Sequence, residues 1–160
     1  MNINDLKRKA ECIFSQYHVQ PIIKEEDETS IYNIERDKAE LEIIIGPRWI
    51  GYELSVSDSF FGHKIGNSLD TDNYPLDYNE SISREIFEET TECLKGFLEG
   101  GIYVGMYNAY PALAIPISRT TYKVKLFKFR THWWQIFESS ETEVVAAKKI
   151  KALLNAKPIT

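Results

Sequence analysis

The spacing of apolar positions predicts three helices. From residue 4 to residue 18 apolar side chains recur at intervals of three and four, which places them on one face of an α-helix. The same spacing predicts a second helix over residues 81–99, and Gly100-Gly101 ends it because glycine adopts the positive φ of a helix terminus. The capping pattern Ser140-x-x-Glu143 marks the start of a third. Three amphipathic helices require a sheet on which to pack.

The remaining apolar runs predict antiparallel strands. Within residues 39–45 and 49–57 apolar and polar positions alternate, which indicates one buried and one wet sheet face, and the short turns between runs imply antiparallel pairing. The predicted strands cover residues 21–24, 30–35, 39–45, 49–57, 102–107, 112–117 and 122–130, with residues 132–137 as an edge strand or an irregular cover. We therefore predict an α+β fold, with one antiparallel sheet of about six to seven strands and three helices packed mainly on one face.

The alternation of apolar positions changes phase inside the predicted strand 122–130. Tyr122, Val124 and Leu126 share one face, whereas beyond Leu126 the apolar positions are Phe127 and Phe129. This predicts either a β-bulge or a strand whose two faces are covered differently along its length.

Composition and length fit one globular domain over residues 1–160, because 43% hydrophobic and 27% charged residues are ordinary for such a protein. Cys12 and Cys93 lie on predicted apolar helix faces and do not form a disulfide framework, which favours a reducing compartment. The charged N-terminal segment has no signal-peptide core, and no apolar run is long enough to span a bilayer. We expect a cytoplasmic protein without membrane contact.

The charge is unevenly distributed along the chain. The net charge is −5, with −7 between Asp58 and Glu92 and +6 from Arg119 to Thr160. Such segments either steer partners of opposite charge or form solvated faces that keep the protein soluble. An acidic chain does not favour nucleic acid as its partner.

A long connection over residues 58–78 is rich in Asp, Asn, Gly and Ser but also contains aromatic residues. Long loops are often functional, and aromatic side chains among carboxylates are typical of protein-binding surfaces. The alternative is that these aromatics close the loop over the core. The predicted contact residues for a protein partner are Asp58, Phe60, Phe61, Asp70, Asp72, Tyr74, Asp77 and Tyr78.

No catalytic, cofactor-binding or metal-binding residue is predicted. The three histidines lie in different segments without metal-ligand spacing, and the segment from Asp70 to Asn73 is not a calcium loop because Tyr74 and Pro75 replace the next ligand and the turn glycine. The glutamates of the second predicted helix are typical of a solvated helix face. Cys93 lies on the apolar face of that helix, which is typical of a small core residue. We therefore do not predict an enzyme.

The C-terminal part carries basic residues next to aromatic ones. Lys123, Lys125, Lys128 and Arg130 lie near Tyr122, Phe127, Trp133 and Trp134. This pattern occurs in grooves that hold single-stranded nucleic acid, but alternating lysines also protect an exposed sheet edge from aggregation. The second interpretation agrees better with the acidic net charge.

The order of elements, together with the segment from Leu94 to Gly105, resembles that of bacterial immunity proteins, which neutralise secreted toxins. The resemblance covers the whole chain and implies binding to a basic toxin domain, whose active site or substrate groove is occluded. Charged residues would speed encounter, and buried aromatics would slow dissociation.

Two alternatives remain open. Small acidic secretion chaperones have a similar layout and dimerise through their second helix to hold an effector. An enzyme would need a pocket that brings His63 or His132 to carboxylates from other segments. A chaperone-like dimer through the second helix would favour the chaperone, and a monomer that binds one folded partner would favour the immunity protein. The sequence leaves the oligomeric state, monomer or dimer, open.

Overall fold

The computed structural model describes the backbone of residues 2–37, 39–56, 64–70, 80–128, 131–138, 143–154 and 157–158. These residues form three helices and ten antiparallel strands, so the predicted α+β class with antiparallel strands is confirmed. The chain divides into two compact units, Met1–Leu94 and Lys95–Thr160. The boundary falls inside the second helix, and the single domain stays a prediction.

The first unit holds a five-stranded sheet whose strands pair in chain order. Helix α1 (Ile3–Gln16) precedes the sheet, and helix α2 (Glu80–Glu99) begins after it. The strands are β1 (Ile22–Glu26), β2 (Thr29–Arg36), β3 (Ala39–Ile45), β4 (Trp49–Val56) and β5 (Lys64–Asp70). Each pairs only with its sequence neighbours among the described strands, so every connection joins adjacent antiparallel strands.

Both helices of the first unit contact the same face of this sheet. The rings of Phe14 on α1 and Tyr32 on β2 lie 5.2 Å apart, and the Tyr52 hydroxyl on β4 donates to Glu89 on α2 at 3.0 Å. Tyr32 and Tyr52 both pair with Ile43, so the two tyrosines lie in one cross-strand row. The apolar alternation of β2, β3 and β4 therefore faces the helices.

The ends of α1 are fixed by local sequence. The Asn2 side chain accepts a hydrogen bond from the Asn4 amide at 3.0 Å, so Asn2 is the N-cap. At the other end His18 has a φ of 54°, and the Val19 amide donates to the Phe14 carbonyl at 2.9 Å. This is a Schellman ending with a non-glycine residue in the left-handed position.

The predicted loop 58–78 is wrong in its middle part, because Lys64–Asp70 forms β5. Glycine, asparagine and serine gave this segment the composition of a loop. Its two apolar residues nevertheless keep strand spacing, with Ile65 opposite Leu54 and Leu69 opposite Ile50. Pairing with β4 thus overrides a low intrinsic strand preference.

The second unit holds another five-stranded antiparallel sheet and helix α3 (Glu143–Leu154). The sheet order is β10-β6-β7-β8-β9. Its strands are β6 (Tyr103–Tyr107), β7 (Tyr110–Pro116), β8 (Thr121–Lys128), β9 (Thr131–Glu138) and β10 (Lys157–Pro158). The chain thus forms two sheets where the sequence predicted one of six to seven strands, and the short β10 was not predicted.

Strand β8 differs from its prediction in two ways. Its pairing with β9 runs without interruption from Thr121 opposite Glu138 to Lys128 opposite Thr131, which excludes the predicted β-bulge there. It also lies between β7 and β9, so its lysines do not protect a sheet edge. The edge strand is β9, which agrees with one of the two possibilities predicted for residues 132–137.

Helix α3 packs against small residues of the second sheet. Ala112 and Ala114 on β7 and Ala146 on α3 belong to one buried cluster. Gly105 on β6 lies so close to the helix end that a Cβ atom there would be 2.3 Å from the Leu154 carbonyl oxygen. Small side chains therefore set the distance between α3 and the sheet.

We expect Ala109→Gly to stabilise the β6–β7 hairpin. Asn108 and Ala109 form its two-residue turn with φ values of 48° and 66°, the left-handed region that penalises a Cβ atom. After the larger chain entropy of glycine is subtracted, the gain is about 0.5–1 kcal/mol in the free energy of unfolding, measured by urea denaturation. Asn108→Gly is the matched control with a smaller gain, since asparagine tolerates this region. A destabilised Ala109→Gly protein would contradict the turn geometry.

Candidate functional site

The face of the first sheet opposite its helices carries most of the charge of that sheet. We call it the outer face, formed by the positions of β1–β5 that alternate with the helix-facing ones. Among its described side chains it has five carboxylates and one ammonium group: Glu26, Glu35, Glu40, Glu42, Glu53 and Lys24. The outer face is therefore acidic.

Four of these carboxylates form two cross-strand pairs. Glu35 on β2 lies opposite Glu40 on β3, and Glu42 on β3 lies opposite Glu53 on β4. Like charges in directly opposite positions destabilise a sheet, because the Cβ atoms of such a pair are about 4.5–5.5 Å apart. Glu40, Glu42 and Glu53 are also half-buried, which weakens the screening of their charges by solvent.

Lys24 and Asn33 interact with carboxylates of the outer face. Lys24 forms an ion pair with Glu26, which raises the pKa of the lysine, and the charge of Glu42 acts in the same direction. The Asn33 side-chain amide donates to Glu40. Carboxylates outnumber ammonium groups among the described side chains of the outer face, and an acidic surface of this kind attracts a partner with basic side chains.

The outer face also has apolar surface and unsatisfied polar atoms. Ile31 and Ile44 lie opposite each other and are half-buried. Among the described residues, the buried Nε1 of Trp49 and the buried Oδ1 of Asn33 have no hydrogen-bond partner. Both atoms lie below the surface, so they do not contact a protein bound on the outer face.

Seven of the eight predicted contact residues lie outside the described part of the chain: Asp58, Phe60, Phe61, Asp72, Tyr74, Asp77 and Tyr78. The eighth, Asp70, is the last residue of β5 and pairs with Trp49 of β4. That position belongs to the outer face. All eight residues, Asp70 included, stay predicted contact residues.

Sequence reasoning did not identify Glu40, Glu42 and Glu53 as a site. In the structure Ile45 lies opposite Ile50, and this register places Glu42 opposite Glu53. Alternation of apolar and polar residues predicted a wet face but not which of its residues pair. The three residues between β3 and β4 would have predicted Ile45 opposite Trp49, a register that separates the two carboxylates.

The helix-facing side of the first sheet has buried ionisable groups without the features of a reactive site. Burial raises the pKa of the Cys93 thiol well above its ordinary value, and the Glu89 carboxylate adds to the effect. Burial likewise raises the pKa of Tyr52 well above its ordinary value, with smaller contributions from Cys93 and Glu89. Both groups stay protonated at neutral pH, so Cys93 is a core residue there and not a nucleophile. Cys12, in contrast, is exposed, so its predicted position on an apolar helix face is wrong.

A pocket of about 360 Å³ lies beside the start of α1 and is lined by Ile3, Asn4, Lys7, Glu28 and Pro47. The Lys7 ammonium already donates to the Glu28 carbonyl at 2.7 Å and lies 3.7 Å from the Glu25 carboxylate. Its charge is therefore not available to an anionic ligand. In the described part of the chain no cluster of His, Cys, Asp and Glu suits a metal ion, and no helix is long and apolar enough to cross a membrane.

The basic and aromatic residues of β8 do not form an open groove where their side chains are described. Lys125 is only 7% exposed and Tyr122 only 6%. Burial, together with the charge of Lys123, lowers the pKa of Lys125. A groove for single-stranded nucleic acid needs exposed cations and exposed aromatic faces, which these two residues do not provide.

Helix α2 offers no apolar seam for a chaperone-like dimer among its described side chains. The apolar residues that would form such a seam are buried within the chain itself: Phe87, Cys93, Leu94, Phe97 and Leu98. Its exposed described positions are charged: Arg84, Glu85, Glu88 and Glu99. A dimer through α2 would thus have to unite charged surfaces.

Comparisons with family models, with curated proteins and with solved structures found no match for this chain. Its function is therefore argued from the outer face alone.

Proposed function

We propose that this protein binds a basic protein partner through the outer face of its first sheet, and that it acts as an immunity protein by occluding the active surface of a bacterial toxin domain. The observation that carries the proposal is the pair of cross-strand carboxylate pairs, Glu35–Glu40 and Glu42–Glu53. Like charges in directly opposite positions repel each other across a strand pair. A basic partner converts the same charges into favourable contacts.

The mechanism is electrostatic attraction followed by steric occlusion. The negative potential of the outer face steers a basic surface towards it and raises the association rate, more so at low ionic strength. Once the partner is bound, Ile31 and Ile44 provide apolar contact. Buried contacts of this kind set the dissociation rate.

The proposal includes contacts from the predicted loop residues and a cytoplasmic location. Residues 57–63 and 71–79 flank β5 in sequence, and β5 is the strand at the far edge of the outer face from β1. Contacts from these residues would enlarge the acidic surface. An immunity protein acts where the toxin acts, so we place it in the cytoplasm.

The proposal also requires that the helices lie on one face of the sheet. In the first unit the contacts Phe14–Tyr32 and Tyr52–Glu89 support this requirement. The opposite face then stays available to a partner.

We expect the double charge reversal Glu42→Lys with Glu53→Lys to slow association with the partner by about tenfold. The variant exchanges one like-charge pair for another, so its free energy of unfolding should stay within about 0.5 kcal/mol of the parent protein. The measurement is affinity capture of the tagged protein from its native host, with mass spectrometry of the co-eluting chain. The association rate constant with that chain is then measured at low and at high salt.

The matched control is Glu85→Lys with Glu88→Lys, which makes the same change in net charge at exposed positions of α2. This helix contacts the opposite face of the sheet, so its variant should keep most of the association rate. Equal losses in both variants would show that only net charge matters and would reject the outer face as the site. Recovery of no partner from expressing cells would reject the binding role.

For the predicted loop contacts, we expect Asp70→Lys with Asp72→Lys to weaken binding to the captured partner. Asp70 is the last residue of β5 and pairs with Trp49, and Asp72 follows it closely in sequence, so the variant reverses the charge of this segment. The dissociation constant is measured by titration calorimetry. An unchanged affinity would remove Asp70 and Asp72 from the contact surface while leaving Glu42 and Glu53 to be judged separately.

A further inference from the structure

We propose that β1 is a homodimerisation edge, at which two copies of this chain pair antiparallel about a twofold axis at Ile23. Among the described strands β1 pairs with β2 alone, and all five of its residues are exposed. Ile22 is 70% exposed and Ile23 53%. An exposed edge with apolar side chains is a template for pairing with another strand.

The hairpin geometry determines which backbone groups of β1 are available. Asp27 and Glu28 form a two-residue turn with φ values of 44° and 67°, and Glu26 pairs with Thr29 to close it. In such a hairpin the closing pair exchanges both hydrogen bonds, and hydrogen-bonded residues then alternate along the strand. Lys24 and Ile22 therefore bond to β2, whereas the amide and carbonyl groups of Ile23 and Glu25 point away from the sheet.

The charges of β1 select one register for pairing with a second copy. An axis at Lys24 places the two Lys24 side chains opposite each other. An axis at Glu25 places two carboxylates opposite each other. Both like-charge pairs destabilise the pairing of the two strands. An axis at Ile23 places Ile23 opposite Ile23 and Ile22 opposite the stem of Lys24. An axis at Ile22 would also join two isoleucines, but the amide of Ile22 already bonds to β2. The register at Ile23 combines apolar contact with outward-pointing amides.

The neighbouring residues limit the pairing to this short segment. Pro21 precedes β1 and has no amide hydrogen, so it cannot continue the ladder as a donor. Four hydrogen bonds remain in the register at Ile23, two between the Ile23 residues and two from the Glu25 amides to the Pro21 carbonyls. The dimer joins the two first sheets into one continuous sheet, with both acidic outer faces on the same side.

Cysteine cross-linking tests the register. All variants carry Cys12→Ser, which removes the exposed thiol, and retain the buried Cys93. With the axis at Ile23, the two Cα atoms of an Ile23→Cys protein lie about 5.5 Å apart, within the range of a disulfide. The two residues of a Lys24→Cys protein lie diagonally, at about 7–8 Å, which is too far. We expect a disulfide-linked dimer from Ile23→Cys and not from Lys24→Cys under mild oxidation.

Sedimentation equilibrium of the uncross-linked protein tests the dimer itself. The parent protein should associate as its concentration rises into the high micromolar range, and Ile23→Lys should lose this association. Circular dichroism checks that Ile23→Lys remains folded, as expected for a half-exposed position. A monomeric parent protein, a dimer that persists in Ile23→Lys, or linking of Lys24→Cys as fast as Ile23→Cys would each overturn the proposal.

Discussion

Gly105→Ala should lower the free energy of unfolding by about 3 kcal/mol, because the new methyl group has no space. Its Cβ would lie 2.3 Å from the carbonyl oxygen of Leu154 and 2.9 Å from the Leu154 Cβ. Real Cβ atoms do not approach other atoms so closely, and both neighbours belong to the last turn of α3. The helix end must therefore move away from β6, and the buried contacts of Leu154 are lost.

Met106→Ala is the matched control, since Met106 is the next residue on the same strand and is 47% exposed. Its truncation should change the free energy of unfolding by about 0.5 kcal/mol or less. Urea denaturation of both variants, followed by tryptophan fluorescence, gives the comparison. Equal midpoints for Gly105→Ala and Met106→Ala would show that α3 does not lie directly on β6.

The stability of the protein should fall steeply in alkaline solution. The first unit buries three neutral acids: the Cys93 thiol and the hydroxyls of Tyr52 and Tyr32. Burial raises the pKa of Cys93 and Tyr52 well above their ordinary values of 9.0 and 10.0. It also raises the pKa of Tyr32 to about 12, with the charges of Glu11 and Glu25 adding and a hydrogen bond to Ser30 opposing.

The direction of the pH effect follows from which state releases protons first. The unfolded chain loses the Cys93 proton near pH 9 and the tyrosine protons near pH 10, whereas the folded chain retains them. The stabilisation is therefore complete below about pH 9 and is lost as the pH rises towards the folded pKa values. Each of the two more deeply buried groups, Cys93 and Tyr52, contributes up to about 1.4 kcal/mol per pH unit to this loss.

Urea denaturation between neutral pH and pH 11 measures the slope. Cys93→Ala and Tyr52→Phe should each make the slope shallower, although both lower stability at neutral pH through a small cavity or a lost hydrogen bond to Glu89. A neutral-pH measurement separates that constant loss from the slope. An unchanged slope in both variants would mean that these groups are not buried in the folded protein.

Most helices and strands follow from the spacing of apolar residues, because each is amphipathic. The predicted strand 39–45 coincides with β3, and the second helix differs from α2 by one residue at its start. Strand β5 was predicted as part of a loop, since its four Gly, Asn, Ser and Asp residues favour turns and only pairing with β4 holds them extended. The division into two sheets depends on which strands pair, and local spacing does not contain this information.

The acidic pairs of the candidate site could not be predicted from the sequence. The acidic and aromatic surface expected over residues 58–78 stays a prediction, and the structure adds carboxylate pairs on β2–β4. Glu42 and Glu53 lie far apart in sequence, so only the register of two strands makes their charges neighbours. Lys125 shows the reverse error, because a lysine on a predicted wet face is buried by its surroundings.

The chain-order pairing of the first sheet has a consequence for synthesis on the ribosome. Strands β1 to β5 each pair with the strand made just before, so the sheet can assemble hairpin by hairpin as the N-terminal half emerges. The helix-facing side is then covered by α1 alone until α2 has been made. During that interval the apolar row around Tyr52 is exposed to solvent, and the nascent chain is most in need of a chaperone that shields it.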